Sequence, residues 1–160
     1  MTGTTKALKE AEVQELFDLD ILADLVGYQL HRAEIDSYRR FIKLSGELRI
    51  TPKQFSALVL VGANPDLSQT DLRKLLGMDR ATTAVLIATL EERDLLARER
   101  SKRDRRRHQL RLTQHGKGVL KSMKLLVRKH DEQLTSRLTS QERRTLASLL
   151  RRIRSTNETF

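Results

Sequence analysis

Between Arg98 and Arg111 the chain places eight basic side chains, Arg98, Arg100, Lys102, Arg103, Arg105, Arg106, Arg107 and Arg111, against two acidic ones, Glu99 and Asp104. That excess of six positive charges is more than half of a total net charge of +10. Charges of one sign at this density repel each other, and a polyanion offsets the repulsion. Phosphates do so with release of counterions, which itself drives binding. A merely solvated charge run is the plain alternative, and what stands beside the run decides between the two. Aromatic residues make up 4% of the chain and none lies in this run, which disfavours stacking on single-stranded bases.

The run is framed by two short alternating segments, Leu96 to Arg100 and His108 to Leu112, which read as the strands of a charged hairpin. In the second strand Leu110 and Leu112 are expected to point one way, with Gln109 and Arg111 pointing the other. Upstream, Ser68 caps a short helix with Asp71 three residues later and Leu72, Leu75 and Leu76 inside. Gly77 suits the left-handed residue after a helix, and Asp79 caps the next one, from Arg80 to about Arg93. A short helix, a tight turn with glycine and a second helix form a helix-turn-helix pattern. Beside the hairpin, that second helix would lie in a major groove with its first residues at base edges. Arg80 can take guanine O6 and N7, Thr82 and Thr83 can reach bases or phosphates, and Ala81 and Ala84 allow close approach or contact with thymine methyls. The face is poor in long polar side chains, so DNA shape would carry much of the specificity, with hairpin arginines in a narrow minor groove. Ser68 and Gln69, at a helix N-terminus, suit phosphates.

Longer helical patterns flank this lobe. From about Val13 to Leu44, Leu19, Leu22, Val26, Leu30 and Ala33 form one apolar stripe, and Tyr28, His31, Ile35, Tyr38 and Ile42 form another. Thr51, Pro52 and Gln54 open a helix with Phe55, Leu58 and Val59 inside, broken by the segment Gly62 to Leu67. Thr113 caps a helix reaching about Arg137, whose inner face carries Val119, Met123, Leu126, Val127, His130 and Leu134. Thr139 and Glu142 form a further capping box before Leu146, Leu149, Leu150 and Ile153 at helical spacing. These stripes exceed what a small lobe can cover, and with 38% hydrophobic and 32% charged residues a lone chain would have a thin core. A symmetric homodimer would bury them. The expected architecture is mainly α with a small β-hairpin wing. A winged helix-turn-helix lobe at 51–113 is joined to dimerisation helices at 13–45 and 114–160, in one domain.

Other classes of function find little support. The chain has no cysteine, which removes disulfides, thiolate zinc sites and thiol redox sensing. No nucleophile elbow, Gly-rich phosphate loop, metal-ligand cluster or triad is present, so neither enzyme activity, a cofactor nor a bound metal is expected. No signal-peptide core or membrane-length apolar run occurs, and a cytoplasmic protein without membrane contact is expected. His130, next to Asp131 and Glu132, reads as a buried structural histidine, because adjacent helical residues diverge in direction. The surviving rival to a duplex binder is a basic helical module for RNA or acidic proteins, without a small-molecule effector.

The run Asp104-Arg105-Arg106-Arg107-His108-Gln109-Leu110-Arg111-Leu112-Thr113-Gln114-His115-Gly116 resembles the wing and following helix start of the MarR family, whose pattern is D-x-R, a strand, then L-T-x-x-G. Asp79 to Thr83 and Leu90 to Leu95 resemble that family's recognition helix and its exit, with Asp94 where glycine is usual. Ile50 to Phe55 is similar to its second-helix start, and the resemblance spans roughly Leu22 to Ile153. It implies a homodimeric transcriptional regulator on a pseudo-palindromic operator. It also implies that Arg106 enters the minor groove and Asp104 holds the wing arginine. Many members repress catabolic, efflux or stress genes and leave DNA when a small, often aromatic or phenolic, molecule binds between the dimer region and the winged lobe. A pocket for an aromatic carboxylate or its thioester would use rings for stacking and arginine for the anion, here Tyr28, His31, Arg32, Tyr38, Arg39 and Phe55. Packing in the dimer or against the lobe is the other reading of that stripe.

Overall fold

The computed structural model describes residues 17–100 and 108–155. Helices α1 (Val26–Ser45), α2 (Pro52–Ala63), α3 (Gln69–Leu76) and α4 (Arg80–Glu92) precede strands β1 (Leu96–Arg100) and β2 (His108–Leu112), and helices α5 (Gln114–Leu134) and α6 (Ser140–Ser155) follow. The fold is mainly helical with one antiparallel hairpin, as expected. The chain divides into two compact units between Tyr38 and Arg39.

In the first unit the apolar pattern from Leu19 onward does not form one helix. Asp20 takes a left-handed backbone, φ 47°, and opens a 3₁₀ turn over Asp20–Ala23 before α1 begins at Val26. The Asp18 carboxylate accepts from the Asp20 backbone N–H at 2.9 Å, a local bond that competes with helix. Phe17, Ile21, Leu22, Leu25 and Val26 are exposed. Residues 13–16, expected in the same helix or in a separate short helix before Asp18, lie outside the described residues.

The second unit holds a core of Leu58 and Val61 from α2, Leu72 from α3, Leu86, Ile87 and Leu90 from α4, Leu96 and Leu110 from the hairpin, and Val119, Leu120 and Met123 from α5. Burying side chains of this size stabilises by about 1.5–3 kcal/mol each before entropy is counted. The helices start where local chemistry satisfies their free N–H groups. Thr51 and Gln54, Ser68 and Asp71, and Thr139 and Glu142 all form reciprocal capping boxes, and Asp79 and Thr113 cap singly. His130 is buried and edge-on to Phe41, ring centroids 5.9 Å apart, and Phe41 also lies 6.0 Å from Phe55. Burial lowers the His130 pKa below its ordinary value, with Asp131 opposing and Arg40 reinforcing the shift. Along α6, Leu146, Leu149, Leu150 and Ile153 are exposed.

Strand β2 pairs with β1 in the register Leu96↔Leu112 to Arg100↔His108. On its other edge, the Leu110 N–H donates to the Leu67 carbonyl at 2.8 Å. The turn before α3 therefore lies along the second edge of β2. Gln109, on the side opposite Leu110 and Leu112, is also buried, at 1% exposure. Its amide donates to Asp66 Oδ1 at 3.2 Å and accepts from the Arg111 guanidinium at 3.0 and 3.2 Å, which satisfies a polar group that burial would otherwise penalise.

The exit from α4 is the joint on which the hairpin hangs. Asp94 adopts φ 52°, the conformation that glycine takes without steric cost. Its presence there does not disturb the turn: the Leu95 N–H still reaches the Leu90 carbonyl at 2.9 Å, closing the helix. Left-handed backbone costs an ordinary L-residue about 1–2 kcal/mol, and aspartate less. Asp94→Ala is thus expected to lower stability by about 1 kcal/mol, while Asp94→Gly leaves it equal or higher. Urea unfolding at fixed protein concentration checks the order, and alanine at or above aspartate would contradict it.

Candidate nucleic-acid interface

The turn between α3 and α4 is set by three residues. Gly77, φ 62°, ends α3, and the Met78 N–H bonds back to the Arg73 carbonyl at 3.1 Å. Asp79 then accepts from the Thr82 N–H at 2.8 Å and from the Thr82 hydroxyl at 2.6 Å. The Thr82 hydroxyl, then its N–H, hold the Asp79 carboxyl below the usual carboxylate range. A negative charge so placed favours the helix N-terminus.

From this start the phase of α4 is fixed. Thr83, Leu86, Ile87 and Leu90 face the core, and Arg80, Ala81, Thr82, Val85 and Ala88 are exposed. Thr83 is fully buried, and its hydroxyl donates to the Asp79 carbonyl at 2.7 Å. The expected contact of Thr83 with bases or phosphates is therefore corrected, because the residue belongs to the inner stripe one turn before Ile87. Ala84 is half-buried. Val85, which sequence reasoning missed, is 66% exposed one turn after Ala81. Counting four residues on from Ala81 finds it on the same face. On α3, Leu75 is likewise exposed although expected inside, and Leu72 is the residue that enters the core.

Two further sets of contacts aim this helix and the hairpin. Arg93, also missed, donates to the carbonyls of Leu48 at 2.6 Å and Arg49 at 2.9 Å, tying the end of α4 to the segment before α2. Thr113 donates its hydroxyl to the Asp94 carbonyl and accepts from the Gly116 N–H at 2.9 Å. Gly116 lies so close to β1 that a Cβ there would be 2.0 Å from the Leu95 carbonyl oxygen. The L-T-x-x-G pattern is thus a clasp that holds the start of α5 against the α4–β1 joint.

Of the basic side chains in the hairpin, Arg98 pairs with Glu91 and Arg111 with Glu99, each at 3.3 Å. These two are engaged within the protein. Lys102, Arg103, Asp104, Arg105, Arg106 and Arg107 lie outside the described residues, whose strands end at Arg100 and resume at His108. At the start of α3 the Ser68 hydroxyl is buried, accepts from the Asp71 N–H at 3.2 Å and donates to the Asp71 carboxylate at 2.5 Å. Gln69 beside it is half-buried.

The candidate ligand residues fall on both sides of the division between the units. Tyr28 and Arg32 are half-buried, Tyr38 is exposed, and His31 is exposed with Nδ1 4.0 Å from Glu34 Oε2. In the second unit Arg39 is exposed and Phe55 is half-buried beside Phe41. Among the described residues no helix is long and apolar enough to cross a membrane.

Residues 50–107 match the model of the MarR family. A Thauera aromatica protein assigned to regulation of the hcr operon is 33% identical over 133 residues, covering 82% of this chain and 80% of the relative. The transcriptional repressor CouR bound to a 23-mer DNA duplex superimposes with a TM-score of 0.80 at 37% identity, covering 86% of this chain and 97% of CouR. A second CouR structure, bound to p-coumaroyl-CoA, gives 0.80 at 34% identity over 90% of this chain and 99% of that one. The PcaV regulator of Streptomyces coelicolor, in complex with its natural ligand, gives 0.78 at 26% identity over 89% and 99% of the two chains.

Proposed function

The chain belongs to the MarR family of DNA-binding transcriptional regulators, and from there we propose that it acts as a homodimeric repressor on a pseudo-palindromic duplex operator and is released by a small aromatic acid or its thioester. The observation that carries the DNA half is the phase of α4. One face is locked into the core by Thr83, Leu86, Ile87 and Leu90, and the other offers Arg80, Ala81, Thr82 and Val85 to the outside. A helix held so rigidly can enter a major groove without losing order. In this reading Arg80 reads guanine, Gln69 takes over the phosphate contact because the Ser68 groups serve the cap, and the wing residues Lys102 to Arg107 track the backbone and minor groove, with Arg106 inserted and Asp104 bracing it. The exposed stripe of α6, with Leu146, Leu149, Leu150 and Ile153, supports the dimer, since a lone chain leaves that face in water.

The apolar part of the α4 face has its own consequence. The Thr82 hydroxyl already donates to Asp79 and Thr83 is buried, so Ala81 and Val85 meet the groove chiefly through methyl groups. The base feature that matches them is the thymine C5-methyl. Replacing the contacted thymine by uracil is expected to weaken binding about fourfold, from one buried methyl at roughly 0.8 kcal/mol. Val85→Ala should blunt that sensitivity. Equal affinity for thymine and uracil at every operator position would remove the methyl contact from the account.

The effector half rests on Tyr28, His31, Arg32, Tyr38, Arg39 and Phe55 and on likeness to regulators solved with p-coumaroyl-CoA and with a natural ligand. Selection of bound genomic fragments would supply the operator and its neighbouring genes. Titration of p-coumarate and p-coumaroyl-CoA into the protein–operator complex then tests release. Retention of the complex at saturating levels of both, across fragments flanking aromatic-catabolic genes, would refute the effector class while leaving DNA binding intact.

A further inference from the structure

Within the second unit a cavity of about 640 Å³ opens between the end of α2, the end of β2 and one face of α5. Its wall is apolar, with Val61, Pro65, Leu120 and Leu125. Around it stand Lys117, Lys121, Lys124 and Arg128, spaced i, i+4, i+7 and i+11 and so on one side of α5. Among the described residues none of these four is within ion-pair distance of a carboxylate, whereas Arg111, also at the cavity, is held by Glu99. Like charges at i, i+4 destabilise a helix.

We infer that this cavity is a binding site for an organic polyanion with an apolar body, a ring or acyl chain carrying two or more negative charges. It uses none of Tyr28, His31, Arg32, Tyr38, Arg39 and Phe55, and it does not depend on the effector reading above. The volume falls in the range of about 300–1,000 Å³ usual for small-molecule pockets. A small anion such as phosphate would satisfy the cations and leave the apolar wall wet. A neutral hydrophobe would leave four cations uncompensated. A duplex would meet the charges with its backbone but could not fill the recess. The occupant that matches both halves has charge at the rim and carbon in the cavity.

The test uses the full chain and bis-ANS, a fluorescent disulfonate with aromatic rings. Wild-type protein should show saturable binding that salt weakens, displaced by octanoyl coenzyme A but not by octanoate or inorganic phosphate. In the double variant Lys121→Glu/Lys124→Glu, binding should fall about tenfold or more, as expected for loss of charge-assisted contacts. Leu125→Gln, at a residue 68% exposed and outside the core, should weaken it through the wall instead. Neither variant should lower the melting temperature, and the charge variant should raise it slightly, because positions 117 and 121 and positions 124 and 128 then pair opposite charges. Unchanged dye affinity in both variants overturns the site. So does a charge variant that loses duplex affinity, or dissociates on dilution, with dye binding intact, because the cations then serve the duplex or a second copy of the chain. Absence of duplex binding by the wild type would count against the proposed regulator and leave this site standing.

Discussion

Gly116→Ala should cost the winged lobe about 3 kcal/mol or more, as overpacking does when the obstacle cannot move aside. The added methyl would be 2.0 Å from the Leu95 carbonyl oxygen and 2.9 Å from its carbon, both backbone atoms. Relief requires either α5 or the start of β1 to shift. Either movement breaks the Thr113 clasp on Asp94 and carries the wing away from its place beside α4. Affinity for DNA should fall with stability, because the hairpin and α4 would no longer be held in one arrangement. Gly118 makes the control: two residues further on, an added Cβ meets nothing within 4 Å. At this exposed helical position alanine should stabilise by roughly 0.5–1 kcal/mol. The check is urea unfolding of both variants at one protein concentration, since the stability of the proposed dimer would depend on concentration. Similar midpoints for the two variants would contradict the clasp.

Arg80→Ala carries the second large effect. Arg80 is the first residue of α4, exposed, and the longest polar side chain on its outer face. A bidentate contact with guanine discriminates against the wrong base by about 1–3 kcal/mol, roughly five- to 150-fold. Removing it should flatten the preference at one position of each half-site while affinity for random duplex falls much less. Selection from randomised duplexes measures both quantities. An unchanged preference would take base reading away from Arg80. A uniform loss across all sequences would make it a phosphate contact instead.

The parts of this molecule legible in its sequence are those fixed by local chemistry. Thr51 with Gln54, Ser68 with Asp71, and Thr139 with Glu142 close capping boxes within four residues, so their spacing alone placed the helix starts. Gly77 marked the turn between α3 and α4 because few other residues take that backbone. The strand limits followed from the change of period at Leu96 and His108. What escaped depended on distant neighbours. The burial of Gln109 follows from the turn at Asp66 and Leu67, more than forty residues earlier, lying against β2. Thr83, polar, suggests a contact in sequence, yet the phase set by Asp79 turns it into the core. Val85 stands on the outer face although it is apolar. The break before α1 follows from a left-handed Asp20 that an apolar stripe does not reveal.

The most direct test is the affinity of the purified protein for its selected operator across a range of salt. Each phosphate neutralised contributes about −0.9 to the slope of log K against log salt, so engagement of the wing and both recognition helices predicts a slope of about −4 or steeper. Arg106→Ala should weaken binding and make that slope shallower by about 1 per site. A flat dependence, or no retained duplex in a whole-genome pool, would contradict the claim that α4 and the charged hairpin together grip double-stranded DNA.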